Sequence, residues 1–204
     1  GSGGSFYVGN LTLQNGTVSL AGADLNLQGV IDNATTSLSG GVTVNQTSGN
    51  SIGGTISGTG GIYFTGTGSV TLSGTNTYTG STLLGSGTLS ISSDSNLGNT
   101  SGSLGLYGGT LLATASLTSN RNVSLLNAST INTATGNTTT LGGILSGTGS
   151  LSVAGAGTLV LTNISNTYNG GTSILSGATL SISDNGQLGN TSSNIALSGG
   201  TLKM

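Results

Sequence analysis

The 204-residue chain has no cysteine, histidine, tryptophan or proline, and because all four acids are aspartates it has no glutamate either. Each absence closes a class of function. Without cysteine there is no disulfide framework to infer, and redox compartment is unreadable from pairing. Without histidine or cysteine, neither a Ser-His-Asp triad nor a Cys-His pair can be assembled. One arginine, Arg121, and one lysine, Lys203, leave a phosphate backbone almost nothing to neutralise it. That argues against nucleic acid as a partner and against attraction to anionic lipid. The longest apolar runs, such as 159–161, are about three residues, far short of the roughly 18 of a membrane helix, so no direct membrane span is expected.

The four aspartates offer little chemistry. Asp94 and Asp184 occupy nearly equivalent positions of a repeat and so should lie several coils apart, roughly 20 Å by strand spacing, too far to share a scissile bond. Asp24 and Asp32 are closer in sequence but read as Asx-turn formers. "SDSN" and "SDNG" lack the carboxylate density of a calcium loop. "GTG" and "GSG" are not phosphate loops, because no helix follows them. No enzyme, metal or cofactor is expected.

What is there is glycine (40), threonine (34), serine (33) and asparagine (20), together 127 of 204 residues, with charged residues at 3%. A disordered chain stays unfolded through high charge and low hydropathy; here charge is scarce and Val, Ile and Leu recur throughout, which also rules out a Gly/Ser linker. Short segments alternate apolar with polar: "LTL" 11–13, "VSL" 18–20, "VTV" 42–44, "VTL" 70–72, "LSI" 89–91 and "LSV" 151–153. Period two predicts strands of three to five residues with one buried face, closed by Gly, Asn or Asp. Nothing reads as helix.

The sequence also repeats itself. "ISGTGGIYFTGTGSVTL" (56–72) aligns with "LSGTGSLSVAGAGTLVL" (145–161), and "GTLSISSDSNLGNTSGSLGLYGGTL" (87–111) with "ATLSISDNGQLGNTSSNIALSGGTL" (178–202). The period is about 90 residues. Short strands inside a long repeat favour a stacked solenoid over a sandwich or closed barrel. The predicted fold is all-β, a right-handed parallel β-helix of roughly ten coils, a rod on the order of 50 Å long. Spacings such as Leu72 to Ile91, Ile91 to Leu106 and Leu106 to Leu125 give a coil of about 15 to 22 residues. Residues 1–5 read as a linker or scar, and 6–204 as one solenoid: a partial unit 6–55, a unit 56–144 and a partial unit 145–204. "GSGGSF" has neither the basic nor the apolar region of a signal peptide.

Each unit carries Asn-Thr-Tyr-x-Gly: Asn76, Thr77, Tyr78 and Gly80, then Asn166, Thr167, Tyr168, Gly170 and Gly171, with Ser81 in place of the second glycine. Two roles compete: a doubled binding site and a doubled corner. As a corner, the tyrosine rings lie across a coil junction, the asparagines satisfy turn backbone and Gly80 and Gly170 reverse the chain.

The run 145–190, "LSGTGSLSVAGAGTLVLTNISNTYNGGTSILSGATLSISDNGQLGN", and its copy at 57–98 resemble the passenger-associated repeat of bacterial autotransporters, in which glycine pairs, Asn-Thr-Tyr and Leu-Gly fall in the same register. The resemblance implies a β-helical stalk of a secreted or surface-displayed passenger of a Gram-negative bacterium. It also implies a partner, the outer-membrane translocator β-barrel of the same parent chain, supporting export with adhesion or cell-cell aggregation. A chain free of cysteine and proline suits such export, since neither premature disulfides nor slow prolyl steps delay it. A directly ligand-binding surface, through self-association or a host ligand, is the alternative. An ice-binding solenoid is a more remote one, raised by Thr-x-Thr pairs such as Thr75/Thr77 and Thr138/Thr140. Ten Asn-x-Ser/Thr sequons, at Asn10, Asn15, Asn33, Asn45, Asn99, Asn122, Asn127, Asn137, Asn163 and Asn190, follow from composition alone.

Overall fold

Val42 and Val44, Ile62 and Phe64, Val70 and Leu72, and Leu159 and Leu161 point inward, while Thr43, Tyr63, Thr71 and Val160 between them point outward or stay half-exposed. That alternation, repeated along the chain, gives one side of each strand to a common core. The computed structural model describes the strands between residues 6 and 38 as backbone, and residues 40–45, 49–190 and 193–204 in full. The expected linker at 1–5 and the sequons at Asn10, Asn15 and Asn33 lie outside the described residues.

The strands form parallel ladders in which each pairs with the equivalent strand one turn away. One side of the solenoid is a ten-stranded sheet running from Leu11–Leu13 to Ile195–Ser198. A second is an eight-stranded sheet from Phe6–Val8 to Leu145–Ser146. The third begins as three strands ending at Ile56–Gly58 and resumes as five, from Leu117–Ser119 to Thr201–Lys203. Between them runs one continuous apolar core, from Val42 to Ile182.

The protein is therefore a parallel β-solenoid, as the strand pattern predicts. Register corrects the coil length. The shortest turn carries Thr17 onto Thr35, and the longest carries Thr172 onto Ile195. The 15-residue step from Ile91 to Leu106 is not a turn at all: Ile91 pairs with Leu72 and Ala113 in the ten-stranded sheet, whereas Leu106 pairs with Leu84 and Leu125 in the eight-stranded one. The coil count differs slightly: the ten-stranded sheet marks ten layers, but several lack a strand on one of the three sides, which leaves about 7 turns where spacing predicts roughly ten coils. Among the described residues there is no α-helix, but two four-residue 3-10 turns, Asp94–Leu97 and Asn185–Leu188, escape the sequence pattern because they are too short to show a helical stripe.

Threonine stacks on threonine at the strand starts, Thr88–Thr110–Thr130 in one sheet and Thr138–Thr158–Thr179–Thr201 in another. The outward positions two residues later do not match: in the second stack they are Thr140, Val160, Ser181 and Lys203. A flat double rank of Thr-x-Thr is therefore interrupted after one rung.

Candidate functional site

The Asn-Thr-Tyr segments sit where a side of the solenoid stops being a sheet. After Ile56–Gly58, the next layer on that side is the loop 73–81, and the layer after it is the 3-10 turn Asp94–Leu97; a strand returns only at Leu117–Ser119. The loop keeps the alternation of a strand. Asn76 and Tyr78 point in, while Thr75, Thr77 and Thr79 are exposed. Its backbone reaches both neighbours, Thr77 N and Tyr78 N donating to Ile56 O at 2.7 and 3.2 Å and Asn76 N to Ser95 O at 2.9 Å.

The buried Asn76 carboxamide completes the ladder. Its Oδ1 accepts from Ile56 N at 2.7 Å in the layer before, and its Nδ2 donates to Asn96 O at 2.6 Å in the layer after. A carboxamide has the donor and acceptor of a peptide unit, so Asn76 replaces the missing strand with a side chain. Asn96 extends the chain of bonds: its Nδ2 donates to Gly74 O at 2.9 Å, while its Oδ1 accepts from Ser92 N and Ser93 N, closing a capping box around the 3-10 turn.

The second copy repeats the bonds of the central carboxamide. Asn166 Oδ1 accepts from Leu145 N at 2.8 Å and its Nδ2 donates to Gln187 O at 2.8 Å; Thr167 N donates to Leu145 O. Gln187 plays the part of Asn96, its Oε1 accepting from Ser183 N and Asp184 N. Gln187 Nε2 donates to Ser183 Oγ at 3.2 Å inside its own turn, where Asn96 Nδ2 reaches the layer before, and the setting differs too. Leu145 belongs to the eight-stranded sheet, so the second interruption lies on a different side of the solenoid from the first.

Tyr78 and Tyr168 are both 0% exposed. The Tyr78 hydroxyl shares a hydrogen bond with Thr82 Oγ1, which itself donates to Leu97 O at 3.4 Å, and Tyr168 bonds Thr172 Oγ1 at 2.8 Å. A Cβ at Gly80 would collide with the backbone of Gly60 and Gly61, and one at Gly170 with Gly149 and Ser150. Glycine is thus required by the close approach of two coils. Gly171 adopts φ +85°, whereas no non-glycine residue has a positive φ among the described residues. Ser81 therefore turns the chain differently and bonds Ser103 Oγ at 2.9 Å.

Removing the Asn166 carboxamide by Asn166→Ala leaves Leu145 N and Gln187 O buried without this partner. Each such group costs about 1–3 kcal/mol, so urea unfolding should show a loss of about 2 kcal/mol or more. Asn166→Asp should also destabilise, because a carboxylate cannot donate to Gln187 O.

Burial pushes the Tyr78 hydroxyl up to about 12, against the smaller lowering influences of Thr82 and Arg121; Asp94 adds a minor raising influence. Burial also raises Tyr168, partly offset by Thr172. Because the folded state favours the protonated phenol, this contribution to stability is complete below the unfolded value near 10 and is lost as pH rises toward 12. For Tyr78 the loss amounts to about 3 kcal/mol. Unfolding should begin above pH 10, read as loss of circular dichroism accompanied by phenolate absorbance from Tyr78 and Tyr168.

The sequence pattern missed Arg121. It is 2% exposed and lies just after the strand Leu117–Ser119 that ends the first interruption. Its Nε donates to Asp94 Oδ1 at 2.8 Å, Nη1 to Asn99 O and Gly102 O, and Nη2 to Asp94 O and Gly98 O. One guanidinium thus ties the 3-10 turn and the following bend to the returning strand. The available signal was its isolation, a single arginine in a nearly neutral chain, more than a full turn beyond Asp94. Asp184, by contrast, caps the second 3-10 turn by accepting from Gly186 N at 2.7 Å. It corresponds to Ser93, not to Asp94, whose counterpart is Asn185.

Among the described residues no three His, Cys, Asp or Glu side chains gather where they could hold a metal, and no helix is long and apolar enough to cross a membrane. Residues 65–91 and 151–182 match the model of a family described as the passenger-associated-transport-repeat. Both stretches contain the Asn-Thr-Tyr loop. No curated protein and no solved structure matches the chain. Two such repeats on a parallel β-solenoid fit an autotransporter passenger with repeats.

Proposed function

We propose that the protein is a length of non-enzymatic stalk from a secreted or surface-displayed autotransporter passenger, a spacer that supports export and holds adhesive or aggregating parts away from the cell. The observation that carries this is the consumption of buried polar chemistry by the fold itself. Asn76, Asn96, Asn166, Gln187 and Arg121 all commit their donors and acceptors to neighbouring coils and turns. The units 56–144 and 145–204 act as successive lengths of rod, attached through the parent chain to an outer-membrane translocator barrel. Stacking of each emerged coil on the one before gives export a direction, since a solenoid grows by nearest-neighbour contacts.

Direct binding is the second reading, and one surface feature favours it. Tyr63 and Tyr107 lie with ring centroids 6.2 Å apart on the outer face of the eight-stranded sheet, and Leu83 and Tyr107 close over Gly105. Low surface charge lets such faces approach without repulsion.

Deleting residues 56–144 from a displayed passenger is expected to bring a distal fluorescent label about 20 Å nearer the membrane at ~4.8 Å per turn, read as increased energy transfer to a membrane dye, without abolishing cell clumping. Clumping that is lost with Tyr63→Ser and Tyr107→Ser while reach is unchanged would instead assign the activity to this face.

A further inference from the structure

The second interruption is the first one copied, up to the point where Arg121 would enter. Gly98 and Gly189 share a left-handed conformation, φ 80° and 77°. Asn99 N donates to Tyr78 O at 2.8 Å and Asn190 N to Tyr168 O at 2.9 Å; Gly102 N donates to Asn99 O at 3.0 Å and Ser193 N to Asn190 O at 2.9 Å. The carbonyls that hold the Arg121 guanidinium belong to Asp94, Gly98, Asn99 and Gly102. Their counterparts are Asn185, Gly189, Asn190 and Ser193. A recess of about 260 Å³ opens there, lined by Asn185, Leu188, Asn190, Ser193 and Ile195. Within it Ser193 Oγ is, among the described residues, the single buried side-chain oxygen or nitrogen without a hydrogen-bond partner.

We infer that this recess is a guanidinium cradle, built to receive an arginine from a coil of the same repeat stacked on Ile195–Ser198 and Thr201–Lys203. In the first copy four carbonyls of one turn and bend converge on a planar cation with five donors, and the second copy repeats that turn and bend. An ammonium group offers three donors from a point and would leave part of the carbonyl set unmet. Arg121 itself shows the arrangement filled. One difference bears on strength: Asn185 stands where Asp94 supplies a carboxylate, so the second cradle is held by neutral acceptors. Each interruption thus ends with the next layer locking it by arginine, a keyed joint between successive units that stands on repeat geometry alone, wherever the protein is displayed.

The test appends a second copy of residues 114–141 after Met204. Residue 113 and Met204 are equivalent in the 91-residue register, so the added arginine falls over the recess. The comparison is the same extended chain carrying R121M in the added copy only. Amide exchange at Asn190 and Ser193 is expected to slow about tenfold more with arginine than with methionine, the measure of a local opening energy. Asn185→Asp should slow it further in the arginine chain alone. Equal exchange in the two extended chains, an equal response to Asn185→Asp, or an added coil that stays unprotected in both would overturn the cradle. So would protection that arises without the extension, on self-association, which would give the recess to another copy of the chain.

Discussion

Arg121→Met is expected to lower the unfolding free energy by about 3–5 kcal/mol, the range for removing one partner of a buried ion pair. Methionine fills much of the volume, so the loss is one of bonds more than of packing. Four carbonyls, of Asp94, Gly98, Asn99 and Gly102, lose a donor, and the Asp94 carboxylate, its side chain 16% exposed, is left facing an apolar thioether. Asp94→Asn should cost much less, about 1 kcal/mol, because Arg121 keeps its carbonyl contacts and Asp94 is partly wet. Urea titration of the two variants gives the comparison. Equal losses would mean that the ion pair, not the carbonyl set, holds the joint. Because a solenoid is stabilised by nearest-neighbour contacts, amide exchange should rise first around residues 98–102 and 117–125 while the second repeat stays protected.

Tyr78→Ala should cost about 3–5 kcal/mol, as expected for deleting a fully buried aromatic ring. The ring is 0% exposed and the Gly98 backbone lies against it with no room for a Cβ, so the surrounding coils cannot close over the space without moving backbone. Tyr78→Phe should cost only about 1 kcal/mol, since Thr82 Oγ1 keeps its bond to Leu97 O. The phenylalanine variant should also lose the alkaline transition contributed by this residue, which separates the titrating hydroxyl from the packed ring. The same pair of changes at Tyr168 should give the same ratio, and thermal melts of the four variants would show it.

Much of the architecture is legible in the chain alone. Alternating Val, Ile and Leu with Ser and Thr identifies strands, because a period of two survives in any parallel stack. The turn glycines and the duplicated Asn-Thr-Tyr are visible as punctuation, and the inventory of side chains already shows how little catalytic chemistry is available. Asn96 and Gln187 are harder to see. They differ in type and length, and only the backbone groups they reach reveal that they do the same work. Arg121 is visible only as a scarcity of charge, since nothing local connects it to the distant Asp94.

Strands, inward faces, the long period and the equivalence of the two Asn-Thr-Tyr segments are all local patterns or direct self-comparison, and the amino-acid order suffices for them. Where those segments face was settled by the stack. The steps from Thr17 to Thr35 and from Thr172 to Ile195 show turns of unequal length, and the repeat does not close on a whole number of them. It therefore comes back one side further round: Ser69–Leu72 pairs in the ten-stranded sheet, whereas its counterpart Thr158–Leu161 pairs in the five-stranded one. Turn length is set by hydrogen-bond register between strands in successive coils. That is not written in the alternation of a single strand, because alternation fixes only which face is buried and not which neighbour a strand meets.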